Sequence, residues 1–180
     1  VEGLTMYQET TFISRKKAEA IDEIDNSILI SISTPLSQEW AWYRAPIIKE
    51  GVWKEVLSVK FHDVDPSGQS GLKMKDMIEY TLFDTEQAIR IFEFLKKHQD
   101  DCTRVIVHCD AGISRSAAVS KFISIIYGLY FPENYSVYNR HVFSTLMQEY
   151  GKSFYGEGLL PAESLPGNLN FGEANEPRSN

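Results

Sequence analysis

The chain has 180 residues, 43% hydrophobic and 24% charged, a globular composition at single-domain length. Its net charge of −7 argues against an extended nucleic-acid surface, which needs clustered Lys and Arg, so an anionic ligand must be held by a local positive field. No apolar run reaches the ~20 residues that cross a bilayer, and the opening VEGLTMYQETTF lacks the basic-then-apolar order of a signal peptide, so no membrane association is expected.

Residues 1–12 read as an irregular or short extended lead-in. Ser14 is a candidate N-cap for a helix to about Ile24, with Ala18, Ile21 and Ile24 on one side. SILISIS, 27–33, is a β-branched strand stopped by Thr34-Pro35. Residues 34–52 carry Trp40, Trp42 and Tyr43 without periodicity; these aromatics are expected to close one end of the core, with a wall of a substrate cleft as the second reading. A second strand spans 53–61 and runs into the Pro/Gly/Ser-rich segment 62–71. Lys73 to Tyr80 fits no single pattern.

Asp84 begins a helix, with Gln87 three residues on and Ala88, Ile91, Phe92 and Leu95 at helical spacing. Arg104 to His108 is the next strand. The helix from about Ser114 is apolar nearly all round, which marks it as central and buried, and Gly128 lies near its end. A last helix, from about Asn139 to Tyr150, buries Val142, Phe143, Leu146 and Met147 and is expected to stop at Gly151. Residues 1–155 are read as one domain, and 156–180, rich in Gly, Pro, Asn and Glu, as a loosely packed or disordered tail.

Strands alternating with helices predict an α/β fold with a mainly parallel central sheet flanked by helices. In such sheets the working site lies beyond the carboxyl ends of the strands. The loops after Phe61 and after Val107 both leave strands at that end.

Those two loops hold the chemistry. In VIVHCDAGISRSAAVS, 105–120, a strand, a tight loop and a helix are compressed around Cys109. Backbone amides of Asp110, Ala111, Gly112, Ile113 and Ser114, backed by a helix N-terminus, suit an anion. Gly112 permits the tight turn. Arg115, in the helix's first turn, can place its planar fork on two phosphate oxygens, which a Lys cannot do. The field that binds phosphate also favours the thiolate form of Cys109. The expected chemistry is phosphoryl transfer to sulfur followed by hydrolysis. Ser114 and Ser116 can hydrogen-bond the sulfur, and His108 is expected to be a packed residue supporting the loop.

The leaving oxygen needs a proton, so a carboxylic acid is expected on a neighbouring loop. Asp63 and Asp65 both qualify by position; Asp76 and Asp84 are also upstream, but Asp84 reads as a helix cap. Cys102 and Cys109 are the two cysteines. Seven strand steps of ~3.3 Å would separate them by about 23 Å, too far for a disulfide, which fits a reducing cytoplasm. Cys102 reads as a packing thiol. His62, His98 and His141 are expected to be solvated or packed, no cluster has metal-ligand spacing, and no metal or cofactor is expected.

HCDAGISRS, 108–116, resembles the signature of the cysteine-dependent protein tyrosine and dual-specificity phosphatases. The resemblance implies their fold and makes Cys109 the nucleophile and Arg115 the phosphate ligand. It gives Ser116 the role of assisting phosphocysteine breakdown and His108 that of ordering the loop. The family's acid follows a strand in an aromatic-x-Asp phrase. Phe61-His62-Asp63 matches that phrase, which favours Asp63 over Asp65. Asp63 stands 46 residues before Cys109 (109 − 63), a longer gap than is usual there, with the extra length in 66–83. Phosphoinositide-directed members carry lysines in the loop. This one has Asp110 and no Lys, so the expected substrate is a phosphorylated protein or peptide. The alternative is a phosphate-recognising interaction module of the same fold without turnover. An arsenate reductase would want a resolving cysteine, which Cys102 is too distant to be.

Overall fold

A computed structural model describes residues 6–36, 43–66 and 80–155. Four strands form one sheet: β1 (Glu9–Ser14), β2 (Ser27–Ser33), β3 (Val56–Lys60) and β4 (Arg104–Cys109). Their order is β1-β4-β2-β3, and all three pairings are parallel. The helices are α1 (Arg15–Ala20), α2 (Thr85–His98), α3 (Arg115–Tyr127) and α4 (Arg140–Tyr155). The fold is therefore α/β with a parallel sheet, as the alternation of patterns predicts.

Burial on both faces is what a parallel sheet requires, and every residue of β2 is buried. On one face Ile28, Ile30 and Ile32 of β2 and Val105 and Val107 of β4 meet Ile91, Leu95, Phe122, Val142 and Leu146 from α2, α3 and α4. On the other, Leu29, Ile106 and Trp53 pack with Ile13, Ile21 and Ile24. The SILISIS alternation thus sends isoleucines to the helical layer and serines to the opposite face.

Local signals explain most boundaries. Ser14 caps α1 by accepting from the Lys17 amide, but α1 ends at Ala20. Ile21 turns extended and joins the smaller apolar cluster, so the expected helix to Ile24 is shorter. Asp84 and Gln87 form the full capping box of α2. Gly128 closes α3 at φ 65°, a left-handed cap suited to Gly. The predicted stop of α4 at Gly151 is overridden. That glycine is buried, and Lys152 and Ser153 both bond to Glu149 across the last turn. Packing there outweighs the ~1 kcal/mol helical penalty of Gly. The expected lead-in contains a full edge strand, β1, and the second strand is trimmed to 56–60.

Trp40, Trp42, Asp76, most of the segment 66–83 and the tail 156–180 lie outside the described residues. Among the described residues no helix is long and apolar enough to cross a membrane.

Candidate active site

Parallel strands bring their carboxyl ends to one edge, and the predicted site residues collect there. Cys109 ends β4, Thr34 follows β2, Phe61 to Asp63 follow β3, and Arg15 follows β1. The loop 110–114 then feeds α3. Ala111 and Ile113 are exposed, whereas Cys109, Arg115 and Ser116 are buried. The loop thus offers an open rim over a covered floor.

Gly112 has φ +70°, in the left-handed region. A Cβ there would stand 2.3 Å from the Ser14 backbone nitrogen and 2.4 Å from the Ile13 carbonyl carbon. The loop is seated directly on the β1–α1 junction, so both conformation and space demand Gly. The Arg15 amide adds a 3.3 Å bond to the Asp110 carbonyl.

The Cys109 sulfur lies 3.1 Å from the Ser116 hydroxyl. Ser114, expected to share that duty, turns away and donates to Asp63 Oδ1 at 2.8 Å. As the N-cap residue of α3 it makes no side-chain capping bond. Beneath Cys109, the wholly buried His108 places Nε2 2.6 Å from the Ser31 hydroxyl. Burial lowers its pKa to about 4, against the opposing effect of the Cys109 backbone, so the ring is neutral at pH 7.

Arg115 is 4% exposed and held at three points. Nη1 donates to the Phe61 carbonyl at 2.7 Å and to Thr34 Oγ1 at 3.3 Å, and Nη2 meets Asp110 Oδ2 at 2.6 Å. Thr34 Oγ1 in turn donates to the same Asp110 oxygen at 3.1 Å, closing a ring over the Nη1–Nη2 end of the fork. Five N–H groups belong to a guanidinium. Those left are Nε–H and the second Nη2 proton, side by side on the long edge. Nε is buried and has no hydrogen-bond partner among the described residues. An orphaned charged donor of this kind is costly unless an acceptor meets it.

Asp63 is brought to the loop; Asp65 is 2% exposed and packed inside. Two donors converge on Asp63 Oδ1, Ser114 and the amide of Asn139, each at 2.8 Å. Asn139 is itself 2% exposed. It caps α4 through the Val142 amide and bonds the carbonyls of Ser114 and Val64. The last helix is expected from about Asn139, but the link to Asp63 crosses 76 positions and has no sequence signature. Tyr135 was likewise missed. Its hydroxyl donates to the Ile113 carbonyl at 2.7 Å, and burial, then the nearby Cys109, raises its pKa.

Tyr43 is buried and reaches the loop, donating to Asp110 Oδ1 at 2.9 Å. Both oxygens of the Asp110 carboxylate therefore meet protein donors, with 29% of the side chain exposed. Asp84 is a helix cap, as its position predicts. Cys102 and Cys109 are free thiols.

His98, Asp101 and Cys102 place a ligand atom each within 4.8 Å, a grouping of metal-ligating types that linear spacing had not suggested. It sits at the opposite end of β4 from the loop. His98 there is already paired, through Glu55 at 2.9 Å and Asp101 at 3.3 Å, and Lys97 and Lys54 occupy those carboxylates.

Comparison of the chain with protein-family models, with curated proteins and with solved structures found no match.

Proposed function

We propose that this chain is a cysteine-dependent phosphatase with a protein tyrosine phosphatase-like fold, hydrolysing phosphotyrosine and related phosphate monoesters of proteins. The observation that carries the proposal is Arg115, a buried cation in the first turn after the Cys109 loop whose Nε has no hydrogen-bond partner among the described residues. A phosphate takes the long edge of a guanidinium with two oxygens at once. The HCDAGISRS sequence, the glycine seated on the β1–α1 junction and an aspartate delivered by the neighbouring loop add support.

In this mechanism the Cys109 thiolate attacks phosphorus in line with the leaving oxygen. The S–P bond forms, the P–O bond breaks, and Asp63 gives its proton to the departing oxygen. Loop amides and Arg115 follow the equatorial oxygens through the transition state. Water then attacks the phosphocysteine and passes its proton back to Asp63. The S–P bond breaks, inorganic phosphate leaves, and the Ser116 hydroxyl supports the returning thiolate. Both donors to Asp63 meet Oδ1, so Oδ2 is the oxygen left to carry the proton.

Turnover of a phosphotyrosine peptide tests the proposal. Cys109→Ser should abolish phosphate release while the peptide still binds. Binding without release by the wild-type chain would instead establish a phosphate-recognising module of the same fold.

A further inference from the structure

A carboxylate in a loop that receives an anion opposes its ligand unless other groups hold it. Asp110 stands beside Cys109, and donors from four segments converge on it. Tyr43 at 2.9 Å and Arg15 at 3.4 Å meet Oδ1; Thr34 at 3.1 Å and Arg115 at 2.6 Å meet Oδ2. The Tyr43 hydroxyl also accepts from the Thr34 amide at 3.0 Å, so Thr34 and Tyr43 brace each other as well as the carboxylate. Burial pushes the Asp110 pKa up, but Arg115, Tyr43 and Thr34 hold it below the usual value, so the group is charged at neutral pH.

These contacts decide which edge of Arg115 is presented. Without Asp110 the guanidinium keeps partners on Nη1 alone, through Phe61 and Thr34. Nη2 then loses its carboxylate, and Thr34 loses the oxygen that holds its own hydroxyl in place, so the end of the fork is less firmly set. We infer that Asp110, braced by Thr34 and Tyr43, is a positioning residue whose carboxylate turns the long edge of Arg115 toward the phosphate loop and does not itself contact substrate. The inference rests on the phosphatase reading of the same site.

Two opposing effects then follow from removing the carboxylate. The field on a phosphate dianion becomes more positive, which favours ground-state binding. Alignment in the transition state is lost, which slows chemistry. A substrate ligand or a merely structural residue would not divide the two in this way.

The experiment uses the full chain and an aryl phosphate, with Asp110→Ala, Asp110→Asn, Arg115→Lys and the Ala/Lys double variant. Asp110→Ala should lower kcat by about a hundredfold with KM unchanged or lower. Asp110→Asn should recover part of the loss, because its amide oxygen still accepts from Arg115. In the Arg115→Lys background, Asp110→Ala should add at most about a twofold change. A full loss in that background, or a raised KM with normal kcat, would overturn the inference. If Asp110→Ala does not fold, Tyr43→Phe gives the same test on a smaller scale, with a several-fold loss of kcat that vanishes beside Arg115→Lys. If the wild-type chain turns over neither aryl phosphate nor phosphopeptide, the phosphatase reading falls. The same cycle read on inorganic phosphate affinity then decides the inference: coupling between the two positions upholds it, and additivity sinks it.

Discussion

The two ends of β4 each carry a buried thiol and a buried histidine, and they differ in what faces them. At the amino end Cys102 adjoins Asp101, and His98 lies between Glu55 and Asp101. Burial first, and Asp101 second, raise the Cys102 pKa to about 11. At the carboxyl end Cys109 faces the Ser116 hydroxyl and the start of α3, and His108 has a serine where His98 has carboxylates. Burial is alike, at 0% and 2% exposure, so it is not what separates a packing thiol from a candidate nucleophile. What differs is the neighbourhood, a carboxylate beside Cys102 and a hydroxyl and a helix N-terminus beside Cys109.

The largest expected contrast is between two identical substitutions. Cys109→Ser should lower phosphopeptide turnover by at least about a thousandfold, whereas Cys102→Ser should leave turnover unchanged. Iodoacetamide sharpens the contrast. With a pKa of about 11, only about one Cys102 thiol in 10,000 is ionised at pH 7, so peptide mapping should find label at Cys109 first. Early label at Cys102 would break the contrast between the two thiols.

Next in size is Arg115→Lys, expected to cost on the order of 10²–10³ in kcat/KM because a point charge cannot offer two parallel donors. Near-normal turnover would remove the long edge of Arg115 from the mechanism. Asp63→Asn should cost about a hundredfold on phosphopeptides, and less on aryl phosphates with good leaving groups. A general acid must be protonated to act, so activity falls as pH rises through its ionisation. Asp63→Asn should therefore flatten the alkaline limb of the pH–rate profile. Asp65→Asn, at a buried packed position, should lower stability and keep that limb. The reverse result would move the acid to Asp65.

Legibility in the sequence followed the range of the forces involved. β2, β4, the Asp84 capping box and the Cys109 loop are written in adjacent residues, and they stand where those residues place them. β1 is legible only as a short extended or irregular lead-in, because an edge strand has one partner to satisfy and ETTFIS shows only a weak alternation. α4 overran Gly151 because burial is a tertiary property. The two site carboxylates divide the same way. Place after a strand leaves Asp63 and Asp65 both open, and the family resemblance favours Asp63, whose partners Ser114 and Asn139 come from 51 and 76 positions away. Ser114 read as a partner of sulfur by proximity in the chain, and the fold gives it to Asp63 instead. Asp110 read as part of the anion cradle, and only the assembled sheet edge brings Thr34, Tyr43 and Arg15 to its side chain.

The last effect expected is read on stability and not on turnover, and it concerns the histidine beneath Cys109. Its neutral form is the one buried in the fold, with a pKa lowered from 6.5 to about 4. Between those values the unfolded chain binds a proton that the folded chain does not, so stability falls as pH drops through this window. The contribution is up to about 3 kcal/mol. Burial lowers the pKa of His62 too, with the same sign. Glu19, lowered to about 2, and the lowered Asp110 lose their stabilisation chiefly below the ordinary carboxylate values of about 4. The span between pH 6.5 and 4 therefore belongs mainly to the buried histidines. Thermal melts of the wild type should decline across it. His108→Gln, which keeps a polar partner for Ser31 but does not titrate, should start lower and decline less. Parallel curves for the two proteins would mean that His108 does not carry the acid sensitivity of the Cys109 end.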